Sequence, residues 1–190
     1  ELMKCIKEED GDCGTVLAVQ VENEAGLGGT DRDYSQAAQR DFENGVPPEL
    51  EGVEIPDSGA SMRDNSWRGR FSRHANEAFT AWYQARYIEE IAAAGKQVYN
   101  IPMYVNAMLG HPYSEAGMAY NSGGPTVRVL DIWKKAAPSI DLLCPDIYMP
   151  CRDYYTHFCQ AYSREDNALF IPESSFAGPS AALNVIRAAA

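Results

Sequence analysis

The chain has 190 residues, 45% of them hydrophobic and 11% aromatic, which is enough apolar material for a packed core. Its 27 acidic against 16 basic residues leave a net charge of −11, which repels phosphate backbones and anionic lipid surfaces; this argues against nucleic acid as a partner and favours a neutral ligand such as a sugar. No apolar run approaches the roughly 20 residues that cross a bilayer, so no membrane span is expected.

In chain order, Glu1 to Asp10 reads as a helix and Thr15 to Glu22 as the first strand. The run VLAVQVENE, Val16 to Glu24, is rich in β-branched and apolar residues and ends on a carboxylate. A polar stretch from Gly26 to about Arg73 follows, with little periodicity, and is read as an active-site loop or lid because connections of that length are usually functional or disordered. The next helix, Asn76 to Ala94, repeats Ala78, Phe79, Trp82, Ala85, Ile88, Ile91 and Ala92 at helical spacing, with Gly95 as its stop.

The second strand is expected over Val98 to Asn106, followed by a Gly/Pro/Asn loop from Gly110 to Pro125. A helix from about Thr126 to Ala137 is stopped by Pro138. The third strand is Ile140 to Tyr148, an amphipathic helix spans Cys151 to Ser163, and a fourth strand spans Ala168 to Glu173, inside the run ALFIPESS. A last helix covers Ala181 to Ala190. Strand and helix alternating at this spacing predict parallel βα units joined by right-handed crossovers, an α/β fold in which strands buried on both faces read as continuous apolar runs.

A complete eight-stranded α/β barrel needs about 250 residues. With 190, and with a helix at each end, the sequence is expected to be an interior piece of one larger catalytic domain that would not be stable alone. Its true N-terminus is then expected to lie outside the sequence, so the absence of a visible signal peptide carries no information.

The five cysteines, at positions 5, 13, 144, 151 and 159, form no CxxC pair and no zinc-type spacing with histidine, so no metal site and no cofactor are expected. Cys144 reads as a small buried hydrophobe, and a single bridge among Cys151, Cys159 or the N-terminal pair stays open. His74, His111 and His157 have no triad partners at recognisable spacing, and Ser174 and Ser175 follow a glutamate instead of sitting in GxSxG. The GLGG at Gly26 to Gly29 follows a strand as a phosphate loop would, but lacks GxGxxG, a P-loop lysine and a following helix.

The chemistry rests on Glu24 and Glu173. In an α/β barrel, residues at the C-terminal ends of different strands converge on one pocket. Two carboxyls delivered there suit glycoside hydrolysis, in which one protonates the leaving oxygen and the other attacks the anomeric carbon or activates water. One glutamate after an apolar strand is more often a solvated strand end or a helix cap. Two, in order and separated by two βα units, make a stronger signal. Glu22 shares a strand side with Glu24 and competes for the same role. Trp82 and Trp133 fall on helix faces and read as core, whereas Trp67, in the long loop, is a candidate sugar platform.

VQVENEAG resembles the acid/base strand of glycoside hydrolase family 35, the β-galactosidases and their bacterial relatives, and LFIPES resembles the nucleophile strand. The likeness extends over DRDYS at Asp31 to Ser35, EAFTAWYQARYI at Glu77 to Ile88, PMYVNA at Pro102 to Ala107 and GGPTVRVLDIWKKAAPSIDLLCPDIY at Gly123 to Tyr148. It implies strands four to seven of a (β/α)8 barrel, with Glu24 as acid/base, Glu173 as nucleophile and Asn23 contacting the sugar 2-hydroxyl in a retaining mechanism. From their strand-end positions, Tyr148 is a candidate donor to Glu173 and Asn106 a candidate contact to the sugar or the acid/base. Glu24 is expected to hold a proton near neutral pH while Glu173 stays ionised. The expected partner is a carbohydrate; sugar, linkage and oligomeric state are unread, and the resemblance suits a periplasmic or secreted placement. A barrel β-glucanase or mannanase and a non-catalytic carbohydrate-binding barrel are the alternatives.

Overall fold

The computed structural model describes residues 1–55, 59, 64–110 and 114–189. Its spine is a parallel sheet of β1 (Val19–Glu22), β2 (Met103–Met108) and β3 (Leu142–Asp146), lying side by side in chain order. Around it are α1 (Leu2–Asp10), α2 (Gln36–Glu43), α3 (Trp67–Phe71), α4 (Ala75–Val98), α5 (Leu130–Ala136), α6 (Arg152–Tyr162) and α7 (Pro179–Ala189). The fold is α/β with parallel strands, and successive strands are neighbours without a reversal of order. Among the described residues no helix is long and apolar enough to cross a membrane.

The apolar runs are buried for the reason their composition gives: Met103, Val105 and Ala107 of β2 and Leu143 and Cys144 of β3 are all within a few per cent of complete burial. β1 begins later than its apolar run. The Asp10 carboxylate captures the N–H groups of Thr15 and Val16, at 3.0 and 2.7 Å, and Leu17 points into solvent.

Helix α4 buries Ala78, Phe79, Trp82, Ala85, Ile88 and Ala92 as the periodicity predicts, while Ile91 is exposed. Gly95 does not end the helix. A β-carbon there would lie 2.8 Å from Met103 Cε, so the glycine is a packing position where α4 crosses the start of β2, and the helix runs on to Val98. The second strand therefore starts at Met103 instead of Val98.

The described residues of the stretch 26–73 do not form an open lid. They fold into α2, capped by Ser35, a 3-10 turn at Pro48–Leu50, and α3, capped by Ser66. Phe42, Val46, Leu50, Val53, Ile55, Trp67 and Phe71 are buried in the same core cluster as α4, with Phe42 and Trp67 edge-on to Phe79. Trp67 is 1% exposed, 5.4 Å edge-on from Phe79 and 6.5 Å from Phe42, so it is a core residue and cannot stack on a sugar. Periodicity missed this layer because its apolar residues are spread over short turns, with no two consecutive periods of one helix or strand. Trp67→Ala should lower the unfolding free energy by about 3–5 kcal/mol. Denaturant titration checks this, and a loss below about 1 kcal/mol would show that the ring is not carrying that layer.

The fourth strand is a single parallel bridge. Ile147 N–H donates to Glu173 O at 3.0 Å and Ile147 pairs with Ser174, but residues 168–173 form no ladder. The physical reason lies at both ends of the segment. The Asn167 amide occupies the backbone of Leu143, donating to its carbonyl and accepting from its N–H at 2.9 Å each, where a strand neighbour would sit. Pro172 has no N–H to give. All five cysteines carry free thiols, Cys144 fully buried in β3. Trp82 and Trp133 lie in the core, and Trp133 Nε1 donates to Gly123 O at 3.1 Å. His111 lies outside the described residues.

Candidate active site

At the C-terminal edge of the sheet a bulge in β1 decides which side chains enter the site. Gln20 pairs with Tyr104, but Glu22 pairs with Val105, so Val21 is an extra residue on the first strand. An unbroken register would set Glu22 opposite Asn106. With the bulge, Asn23 comes alongside Asn106 instead, and Asn106 Nδ2 donates to Asn23 Oδ1 at 2.9 Å. Glu22 is exposed and its carboxylate accepts the N–H of Asn23 at 2.9 Å.

The chain turns sharply after Asn23. Glu24 has φ +43, the left-handed region that non-glycine residues seldom occupy and that costs about 1 kcal/mol or more. Its N–H donates to Asn106 Oδ1 at 2.8 Å and its carbonyl accepts from Asn121 Nδ2 at 2.9 Å, which together hold the strained turn. The glycines behind it are spoken for. Leu27 N–H donates to Ser122 O at 2.8 Å and Gly29 N–H to Gly117 O at 2.6 Å, so GLGG is tied into neighbouring backbone and offers no phosphate cradle.

Asn106, fully buried in β2, is the hub. Its Nδ2 lies 2.9 Å from Asn23 Oδ1, 2.7 Å from Asp146 Oδ2 and 3.2 Å from Glu173 Oε1. Its Oδ1 accepts from the Glu24 amide and, at 3.2 Å, from Gln20 Nε2. Glu173 arrives on the bridge beside β3, and Tyr148 Oη donates to its Oε2 at 2.5 Å. Of the six residues singled out from the sequence, Glu24, Glu173, Asn23, Asn106 and Tyr148 therefore form one hydrogen-bonded cluster, and Trp67 stands apart in the core.

Two members escaped the sequence reading. Gln20 bridges Asn23 Oδ1, at 2.8 Å, and Asn106. Asp146, at the end of β3, is 3% exposed and meets Asn106, and its carboxyl contacts that of Glu24. A signal for it existed: an aspartate inside an apolar β-run, two residues before Tyr148, shares a strand face with Cys144, and a carboxyl buried there must have a specific use.

The site is strongly acidic. Burial, then the charges of Glu173 and Glu24, push the Asp146 carboxyl up to about 8, with the hydrogen bond from Asn106 pulling the other way. Burial and then Glu173 raise Glu24 above the usual carboxylate range, and its contact with Asp146 offsets part of this. Donation to the Glu173 carboxylate, above all, pushes Tyr148 up to about 12.

A separate cavity of about 740 Å³, bordered by Asp31, Asn76, Glu77 and Arg128, contains none of the three acids. Two of the carboxyls that border it are held by neighbours: buried Glu77 accepts from Arg128 at 2.7 Å, Tyr120 at 2.8 Å and Thr126 at 3.2 Å. Asp31 accepts from Asn76 at 2.7 Å and Tyr34 at 2.9 Å. These contacts tie the 120–128 segment and Asp31 to α4, and none of them involves the acid cluster. No known protein-family model matches the chain, and no curated protein matches it.

Proposed function

We propose that the chain contributes four consecutive βα units of a (β/α)8 barrel in a retaining β-glycosidase of β-galactosidase type, acting on a terminal β-linked sugar. The observation that carries this reading is the convergence of Glu24 and Glu173, 149 positions apart in sequence, on the one amide of Asn106. Parallel strands adjacent in chain order, with β1 at the outer edge of the sheet among the described residues, suit continuation of the sheet into a closed barrel.

The roles follow from what each carboxyl meets. Glu173 has both oxygens held, Oε1 by Asn106 and Oε2 by Tyr148, which orients it for attack on the anomeric carbon. As the glycosidic C–O bond breaks, Glu24 passes its proton to the departing oxygen and Glu173 forms the glycosyl ester. Glu24, now a carboxylate, takes a proton from water as that water attacks the same carbon, and Glu173 leaves. The Oδ1 of Asn23 is engaged by Asn106 and Gln20, which leaves its Nδ2 to donate to the sugar 2-hydroxyl.

The test is covalent trapping in the full-length protein. A 2-deoxy-2-fluoro-β-galactosyl fluoride should add one fluorosugar per protein on the peptide carrying Glu173, as read by mass spectrometry, because the 2-fluorine slows release more than formation of the ester. The matching gluco and manno reagents separate β-galactosidase from β-glucanase or mannanase chemistry. Failure of all three to label that peptide would overturn the reading.

A further inference from the structure

We propose that Asp146 is a positioning residue that stays protonated at neutral pH and donates a hydrogen bond from Oδ1 to the carboxylate of Glu24, so that the site works with a third, neutral carboxyl. The inference deepens the glycosidase reading and rests on it for its catalytic consequence, although not for the proton itself.

The geometry leaves the proton little choice. Asp146 Oδ2 accepts from Asn106 Nδ2 at 2.7 Å, while Oδ1 is buried and has no donor within reach. The Asp146 carboxyl also meets another acceptor, the Glu24 carboxyl. Two carboxylates in contact, one of them buried, repel each other and leave an oxygen unsatisfied; one shared proton removes both costs. The titratable groups that face Asp146 are Glu24 from the turn after β1, Tyr104 from β2, Cys144 from its own strand, Tyr148 and Glu173 beside it, and Tyr162 from α6. The charges acting most strongly on it, Glu173 and Glu24, are both negative and favour the protonated form. Glu24 is the more exposed of the two acids in contact, so the shared proton rests on Asp146 and Glu24 accepts; the form that cleaves the glycosidic bond carries a second proton, on Glu24, whose own affinity is raised by burial and Glu173.

The consequence concerns the acid/base. When Glu24 gives its proton to the departing oxygen it becomes a carboxylate, and the Asp146 O–H stabilises that anion, making Glu24 a stronger acid than burial beside Glu173 alone would allow. The Asp146 proton itself never leaves; the proton released to the leaving group is that of Glu24, and the one regained comes from water.

The experiment follows the carboxyl directly in the full-length protein. Infrared difference spectra should show the C=O stretch of a protonated buried acid at pH 6, lost as the pH rises through about 8 and absent from Asp146→Asn. Folded-state affinity for this proton exceeds that of the unfolded chain, so its stabilisation is complete below the unfolded value near 4 and disappears as pH rises toward about 8. The midpoint of thermal unfolding of the parent should therefore fall relative to Asp146→Asn over that interval. The amide of Asp146→Asn can donate to Glu24 and accept from Asn106, so activity should stay within about fivefold of the parent with the acid limb of the pH profile in place. Asp146→Leu, which has no donor, should lose about 10- to 100-fold in kcat/KM, the rate equivalent of one hydrogen bond to a charged group, with the alkaline limb moved upward. No protonated-acid band in the parent overturns the proposal, as does an Asp146→Asn profile displaced to acid pH, the mark of a removed negative charge. Because band and unfolding profile need no turnover, a protein that shows them and cleaves no glycoside sinks only the glycosidase reading.

Discussion

Glu173→Gln in the full-length protein should reduce turnover of a β-glycoside by at least about 1,000-fold while changing the unfolding free energy by no more than about 1 kcal/mol. The two effects separate because glutamine keeps the shape of the side chain. Its carbonyl oxygen can accept from Asn106, and Tyr148, whose hydroxyl both donates and accepts, can turn to accept from the new amide. What is lost is the anionic oxygen that forms the glycosyl ester, for which an amide is no substitute. Tyr148 reports the same loss independently. It is pushed up to about 12 chiefly by donating to the Glu173 carboxylate, so its phenol should ionise closer to the ordinary value near 10 in the variant, as followed by ultraviolet titration. A non-catalytic sugar-binding barrel predicts something else: no turnover in either form and unchanged binding. Unimpaired turnover in the variant would remove Glu173 from the mechanism.

Much of this site was legible because strand ends in a parallel sheet are readable from apolar runs. The breaks after VQVENE and LFIPE fall where β1 ends and where the chain bridges to β3, and the polar residues at those breaks are the ones that meet. Position along a strand is a local property and survives in the sequence. The bulge at Val21 is not local in that sense. It depends on the partner strand, yet it determines that Asn23 and not Glu22 meets Asn106.

Trp67 shows the same limit from the other side. A tryptophan among glycines, arginines and aspartates reads as a loop residue, and only tertiary packing against Phe42, Phe71 and Phe79 turns it into core. Asp146 was hidden by its neighbours. In a run read as a buried strand its carboxyl was not singled out, whereas its burial beside two other acids is what makes the site electrostatically unusual. The resemblance to family 35 named the two glutamates and Asn23, and strand-end position named Tyr148 and Asn106; the third acid was recognised from the fold.

Asn106→Ala should be the most damaging single change to the site that leaves every acid in place. The side chain is fully buried and links three segments: it accepts from the Glu24 amide and Gln20, and its two N–H hydrogens are divided among Asn23, Asp146 and Glu173. Removing it strands a buried carboxyl oxygen on Asp146 and releases the N–H that holds Glu24 at φ +43. One unsatisfied buried carboxyl oxygen and one freed strained turn together should cost about 2–4 kcal/mol of stability. The effect on turnover should be larger than that number implies. Both glutamates lose a common reference point, and a displacement of about 1 Å between reacting groups can cost about 100-fold in rate. Asn106→Asp sharpens the argument. It keeps the size of the side chain but replaces the donor with a fourth carboxyl facing Asp146 and Glu173, so its stability should match that of the alanine variant near pH 5 and fall below it by pH 8, as the added charge forms. Chemical unfolding at both pH values, with kcat measured alongside, checks the pair of variants. If alanine leaves kcat within twofold of the parent, the two glutamates are aligned by something other than the amide between them.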